Sequence, residues 1–142
     1  MKILLAVDGS KPSLAAVSSL IQHVGEFRIR PEIELITVHL PVPKLPRMGL
    51  AVGKSQLAKY YADEGETILT PAMKKLDAAR LAYTPRVLIG PVAETIVKHA
   101  KSARCDMICM GSRGMGQVGA ALVGSTASRI LHLSSIPLLI DK

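Results

Sequence analysis

A chain of 142 residues, 49% hydrophobic and 20% charged, has the length and composition of an ordinary globular domain, which excludes disordered, collagen-like and disulfide-scaffold classes. Eighteen Lys and Arg against eleven Asp and Glu give a formal net charge of +7, yet the cations are scattered from Lys2 to Lys142, with no Trp, one Phe and three Tyr to stack on bases. Nucleic acid is therefore not an expected partner, and the basic surface is read as solvated, with attraction of a polyphosphate ligand as a compatible role.

No apolar run approaches the roughly 18–20 residues that span a bilayer, and the apolar stretch opening MKILLAVDGS meets Asp8 too soon for a secretory signal. A cytoplasmic protein without a membrane span is the expectation. Cys105 and Cys109 match neither a CxxC pair nor a zinc set and read as reduced, buried thiols.

In chain order, Lys2 to Val7 is a short apolar run that ends in Asp8-Gly9-Ser10 and leads into LAAVSSLIQHV at helical spacing, so strand, turn and helix follow one another. Ser10 or Ser13 can cap that helix, and Pro12 is tolerated in its first turn. Glu32 to Leu40 is a second strand, and residues 41 to 54, with three prolines and two glycines, are a loop. Ser55 to about Ala82 is a long helix that Gly65 and Pro71 are expected to kink or divide. Residues 84 to 90 are a third strand, 91 to 103 a helix, 106 to 110 a fourth strand, 119 to 133 largely helix, and 136 to 140 a fifth strand. Nearly all-apolar strands alternating with helices predict a single α/β domain over residues 1–142, a doubly wound parallel sheet with helices on both faces. Ligands of such sheets bind at the carboxyl ends of the strands, which brings Asp8, Leu40, Gly90 and Gly111 together.

The stretch Met110 to Leu131, MGSRGMGQVGAALVGSTASRIL, carries five glycines where each helical glycine costs about 0.5–1 kcal/mol against alanine. Three readings compete. Gly114, Gly116 and Gly119 spell the dinucleotide fingerprint G-x-G-x-x-G, but very late in the chain for such a fold. Small residues could instead serve close packing and a tight turn. In the third reading the stretch is a phosphate cradle: Gly111 and Gly114 form a turn beneath sugar and first phosphate, Arg113 neutralises charge, and Gly124-Ser125-Thr126 open the last helix with amides and hydroxyls facing an anion. No Gly-Lys-Ser/Thr is present, so this is not a P-loop with a lysine at the terminal phosphates.

These residues resemble the universal stress protein family, whose ATP-binding members carry G-x2-G-x9-G-S/T near the C-terminus; Gly111, Gly114, Gly124 and Ser125 meet every position. KILLAVDGS with Ser13, the VH closing the second strand, GPVAETIVKHA and CDMICMGSRG extend the likeness, whereas residues 41 to 82 match weakly. The resemblance implies a five-stranded parallel sheet of order 3-2-1-4-5 with ATP or another adenine nucleotide across the strand ends. By position, Ala6 and Asp8 would lie along the adenosine and phosphates, and Leu40 would meet adenine through its backbone. Gly111, Ser112, Arg113, Gly114, Gly116 and Gln117 would wrap ribose and phosphates, and Gly124, Ser125 and Thr126 would hold the outer phosphates. Asp8 could share a divalent metal, Mg or Mn, with those phosphates. The prolines of 41 to 47 are a departure from the family pattern at the expected adenine pocket.

Catalytic groups are thin. Asp8 is one carboxylate at the site, Asp106 belongs to the other end of the sheet, and His39 reads as packing or hydrogen bonding beside the pocket. His23, His99 and His132 fall in helices with no partner at an obvious spacing. A response-regulator receiver would need an acidic pair after the first strand and an Asp after the third, where this chain has a lone Asp8 and Gly90. The apolar segment 136 to 141, at a sheet edge in the order 3-2-1-4-5, invites antiparallel pairing with a second copy, and the resemblance implies the same homodimer. The reading is an ATP-binding stress-response regulator with an unknown protein partner and at most slow hydrolysis; the alternatives are a small dinucleotide- or flavin-binding redox protein, or an ATP-consuming enzyme.

Overall fold

A computed structural model describes residues 1–43, 53–114 and 123–142. Five strands, β1 (Lys2–Ala6), β2 (Glu32–His39), β3 (Tyr83–Ile89), β4 (Met107–Gly111) and β5 (Leu138–Asp141), form one sheet of order β3-β2-β1-β4-β5. Every pairing is parallel. Among the described residues four α-helices accompany them: α1 (Lys11–His23), α2 (Lys54–Ala78), α3 (Val92–Ser102) and α4 (Ser125–Leu133). The expected class and strand order are therefore observed.

Successive side chains of a strand point to opposite faces, and here both faces are covered. Ile3, Leu5, Ile33, Leu35 and Cys109 pack with Val17 and Leu20 of α1 and Leu69, Ala72 and Leu76 of α2. Leu4, Ala6, Ile36 and Ile108 pack with Ala93, Ile96, Val97 and Ala100 of α3 and Ile130 of α4. Burial on both sides is why the strands read as continuous apolar runs.

The long helix expected over residues 55 to 82 spans Lys54–Ala78 and is not divided: α2 runs 25 residues through both Gly65 and Pro71. Pro71 lies on its exposed side, while Tyr61, Gly65, Leu69, Ala72 and Leu76 form one buried stripe that holds the helix to the sheet. Gly65 is there for space, since a Cβ on it would lie inside contact distance of the β carbon and both methyls of Val87 on β3. Gly65→Ala is expected to destabilise the fold by about 1–3 kcal/mol, with Val87→Ala restoring part of the loss in the double variant. A denaturant midpoint equal to the parent's would refute this contact.

At the other end, α4 begins at Ser125, where the phosphate-cradle reading opens the helix; Val123 and Gly124 are non-helical, and residues 119–122 lie outside those described. The last strand starts at Leu138, two residues later than expected, and Pro137 contributes only its carbonyl, which accepts from the Ile108 amide at 2.9 Å.

Candidate functional site

The order β3-β2-β1-β4-β5 reverses at β1, so the loops leaving β1 and β4 diverge and open a crevice at the strand ends. A cleft of about 400 Å³ lies there. Its walls come from β1 and the following loop (Ala6, Asp8), the end of β2 (Val38, Leu40), the β4 end and turn (Gly111, Ser112, Arg113, Gly114) and the start of α4 (Gly124, Ser125, Thr126). Ten of the twelve expected site residues thus line one cavity. The remaining two, Gly116 and Gln117, lie outside the described residues.

The β1 loop is built by short hydrogen bonds. Ser10 is the residue that caps α1, its hydroxyl accepting from the Ser13 amide at 3.3 Å, while the Ser13 hydroxyl donates back to the Ser10 carbonyl at 2.9 Å. Gly9 adopts φ +82°, and the Ser10 amide donates to Asp8 Oδ1 at 2.9 Å. The Asp8 carboxylate is thereby set against the β4 turn, where a Cβ on Gly114 would stand 2.7 Å from Asp8 Oδ2. Glycine at 114 lets the carboxylate occupy that place.

Gly111 is required by something else. A Cβ there would lie 2.7 Å from the Pro12 carbonyl carbon and oxygen and 2.9 Å from the Ser13 nitrogen, so the end of β4 presses on the backbone opening α1. Packing and cleft lining coincide at this residue, and the spacing of the glycines alone does not separate the two.

Gly124 precedes α4 in an extended conformation, φ −69° and ψ 163°, and its amide donates to the Ser112 carbonyl at 2.6 Å, tying the helix start to the β4 end. The first-turn amides of a helix have no acceptor within it, and Gly124 has no side chain with which to cap them. The positive end of α4 therefore opens on the cleft beside Ser125 and Thr126, and Arg113 adds a full positive charge across the turn.

His39 contributes less than its position suggests. Its ring stands 6.0 Å from that of Tyr61 on α2, and its buried Nε2 has no hydrogen-bond partner among the described residues. Packing is its role here. Leu40 is 66% exposed at the cleft rim. Asp106 sits at the opposite end of the sheet, as expected, accepting the Lys2 amide at 2.7 Å.

A cluster on the α3 face escaped the sequence. Glu34 of β2 has a side chain only 8% exposed, yet its Oε2 accepts from Arg86 Nε at 3.2 Å and meets His99 Nε2 at 3.1 Å. His99 therefore has a partner, but one 65 residues away. Burial alone would raise the Glu34 carboxyl; the bonds from His99 and Arg86 outweigh it and leave the group below the usual carboxylate range. A carboxyl lowered in the folded state adds stability above its unfolded value near 4.5, and that stability is lost as pH falls through the folded value. Glu34→Gln is expected to flatten the acid limb of the stability profile below about pH 4.5, measured by urea midpoints.

Cys105 and Cys109 are free and buried. Burial, helped by the Glu34 carboxylate, pushes the Cys105 thiol up to about 11, and burial with Asp141 pushes Cys109 up to about 12. Neither is a nucleophile at neutral pH. Both thiols stay neutral in the folded chain while the unfolded chain ionises near 9, so their contribution is complete below pH 9 and is lost on rising toward 11 to 12. Urea midpoints measured upward from pH 9 should fall less in a Cys105→Ala/Cys109→Ala variant than in the parent.

Sheet order, crevice and converging backbone define a doubly wound α/β protein with a cleft at its topological switch point. The universal stress protein family model matches residues 1–142, and the chain belongs to that family. The stress response protein NhaX of Bacillus subtilis is 32% identical over 99% of this chain and 88% of its own length; universal stress protein MJ0531 of Methanocaldococcus jannaschii is 29% identical over 99% and 81%. Among solved structures, universal stress protein UspA from Lactobacillus plantarum superposes with a TM-score of 0.79 at 16% identity, covering 100% of this chain and 97% of that one. A universal stress protein in complex with cAMP gives 0.71 at 21%, covering 100% and 97%. The universal stress protein from Archaeoglobus fulgidus in complex with dAMP gives 0.65 at 18%, covering 100% and 98%. At these identities the structural likenesses establish the fold.

Proposed function

We propose that this chain, a single domain, binds ATP or another adenine nucleotide in the cleft, its phosphates against the start of α4 and the Gly111–Gly114 turn and its base toward Leu40. The observation that carries the reading is the convergence in one 400 Å³ cleft of the α4 N-terminus, the side-chain-poor β4 turn and Arg113. The cAMP and dAMP held by the two related structures support an adenine ligand. A dinucleotide fits less well, because the volume stands near the lower end of ligand clefts. Chromatography of the compound released from purified protein tests the choice: an adenine mononucleotide agrees, and a nicotinamide or flavin compound overturns it.

Divalent metal fits only with help from the ligand. Among the described residues no group of three or more His, Cys, Asp or Glu could hold an ion. Asp8 alone would supply one carboxylate, which suits Mg or Mn bridging bound phosphates and no all-protein site. With that single carboxylate, hydrolysis is slow at most, and the proposed role is regulatory: nucleotide occupancy biases an interaction with a protein partner of the stress response. No described helix is long and apolar enough to cross a membrane, and the proposal places the chain in the cytoplasm. Phosphate release should stay slow and unchanged in Asp8→Ala; fast release lost in that variant would make the chain an ATP-consuming enzyme.

The proposal includes a homodimer through residues 136–141. β5 is an edge strand with Leu139 44% exposed. Pro137 and Asp141 turn their carbonyls to β4, so the alternation of a parallel ladder turns the Leu138 and Ile140 backbone groups outward. Ile140→Pro removes one outward donor and no bond to β4. It is expected to yield a monomer in sedimentation, and an intact dimer in that variant would place the contact elsewhere.

A further inference from the structure

We propose that the end of the sheet opposite the cleft is a docking surface for a membrane bearing anionic lipid headgroups. Each crossover returns a helix C-terminus to this end, and its four loops, of which 134–137 carries no charge, lie within the described residues. In the three loops of residues 24–31, 79–82 and 103–106 stand four cations, Arg28, Arg30, Arg80 and Arg104, against two carboxylates, Glu26 and Asp106. All four arginines are exposed.

Contacts in the structure join these loops. Arg30 donates to the Ala79 carbonyl at 2.7 Å, which puts the α1–β2 loop beside Arg80. The Glu32 amide donates to the Met1 carbonyl at 3.0 Å, and Lys2 exchanges two hydrogen bonds with Asp106, two residues beyond Arg104. The loops bearing Arg28, Arg30 and Arg80 leave helices on one face of the sheet and the loop bearing Arg104 leaves a helix on the other, so the cations stand on both sides of the start of β1.

Helix capping accounts for part of this pattern, since Arg30 serves the end of α2. Arg80 and Arg104 follow the ends of α2 and α3 in the left-handed conformation, φ 52° and φ 56°, where a cation also suits the negative end of the helix dipole.

Between Arg28 and Arg30 projects Ile29, 65% exposed. An aliphatic side chain offers no stacking face to a nucleic acid base and makes no hydrogen bond to one. With Met1, 41% exposed at the same end, it makes a pair of exposed large hydrophobics, too little for the anchor cluster of a protein interface. One apolar side chain flanked by two cations is what a headgroup layer accepts, the chain entering the acyl boundary and the cations remaining with the phosphates. Docked in this way, the nucleotide cleft faces away from the bilayer.

The chain has no Trp, so Ile29→Trp introduces a single reporter at an exposed position. With phosphatidylcholine vesicles containing phosphatidylglycerol at low salt, its emission should shift to the blue, and the protein should sediment with the vesicles. Each of Arg28→Gln and Arg104→Gln should weaken binding about fivefold, and Ile29→Ser several-fold, while Lys59→Gln on exposed α2 leaves it within about twofold. No association with the anionic vesicles would overturn the proposal, as would equal binding to pure phosphatidylcholine. Polyuridylate displacing the vesicles with Ile29→Ser without effect would make this a nucleic-acid surface and overturn it too. Nucleotide binding is read separately, so neither result bears on the cleft.

Discussion

Gly124→Val is expected to lower the affinity for ATP by about tenfold or more, about 1.4 kcal/mol, with the unfolding temperature nearly unchanged. The backbone at 124 lies at φ −69° and ψ 163°, a region valine adopts readily, so conformation does not demand glycine there. Its amide bond to Ser112 is also kept, since the substitution leaves the N–H in place. What changes is the space before the α4 amides, where a branched side chain would stand in the path of a phosphate. Calorimetric titration beside a thermal melt decides the case: a folded variant with parental affinity would remove Gly124 from the site.

The second large effect concerns Gly111, and it appears in stability. Gly111→Ala places a methyl group 2.7 Å from the Pro12 carbonyl, and because that atom is backbone, β4 or the start of α1 must shift. A loss of about 3 kcal/mol is expected, roughly 10 °C in melting temperature for a chain of this size, with or without nucleotide. Gly114→Ala should cost much less in stability, because its new methyl meets the Asp8 carboxylate, a side chain that can rotate. Its penalty should appear instead in nucleotide affinity, through displacement of Asp8. Equal melting temperatures for the Gly111 and Gly114 variants would contradict this division between packing and site.

The comparison of these glycines shows how far the sequence carried. The alternation of apolar strands with helices gave the class directly, because both faces of a parallel sheet are buried and the pattern of burial is written along each strand. Strand order came through the family resemblance, since no local pattern states which strand lies beside which. Ten of the residues that the resemblance named line one cleft, because the ends of β1, β2 and β4 and the start of α4 meet there. The purpose of each glycine was not legible. Gly65 looked like a helix breaker, while its cause is Val87, distant in the chain, and Gly111 looked like a ligand residue, while it also packs on Pro12.

Buried polarity was hidden for the same reason. In EIELITVH, Glu34 is one polar residue among several, and nothing nearby announces that Arg86 and His99 satisfy it from across β3 and α3. Such a carboxylate becomes visible only once the topology places its partners. Breaking the cluster by Glu34→Ala would leave Arg86 and His99 facing an emptied, mostly buried position, which is why the conservative Gln variant is the informative one.

The central claim is that main chain freed of side-chain bulk after β4, with the positive end of α4, receives the phosphates of an adenine nucleotide. A crystal structure of the protein grown with magnesium ATP tests it most directly. The expected density shows phosphate oxygens within hydrogen-bond reach of amides at the start of α4 and the adenine ring near Leu40. Density for the nucleotide elsewhere, or a cleft filled by the protein's own side chains at saturating ATP, would contradict it.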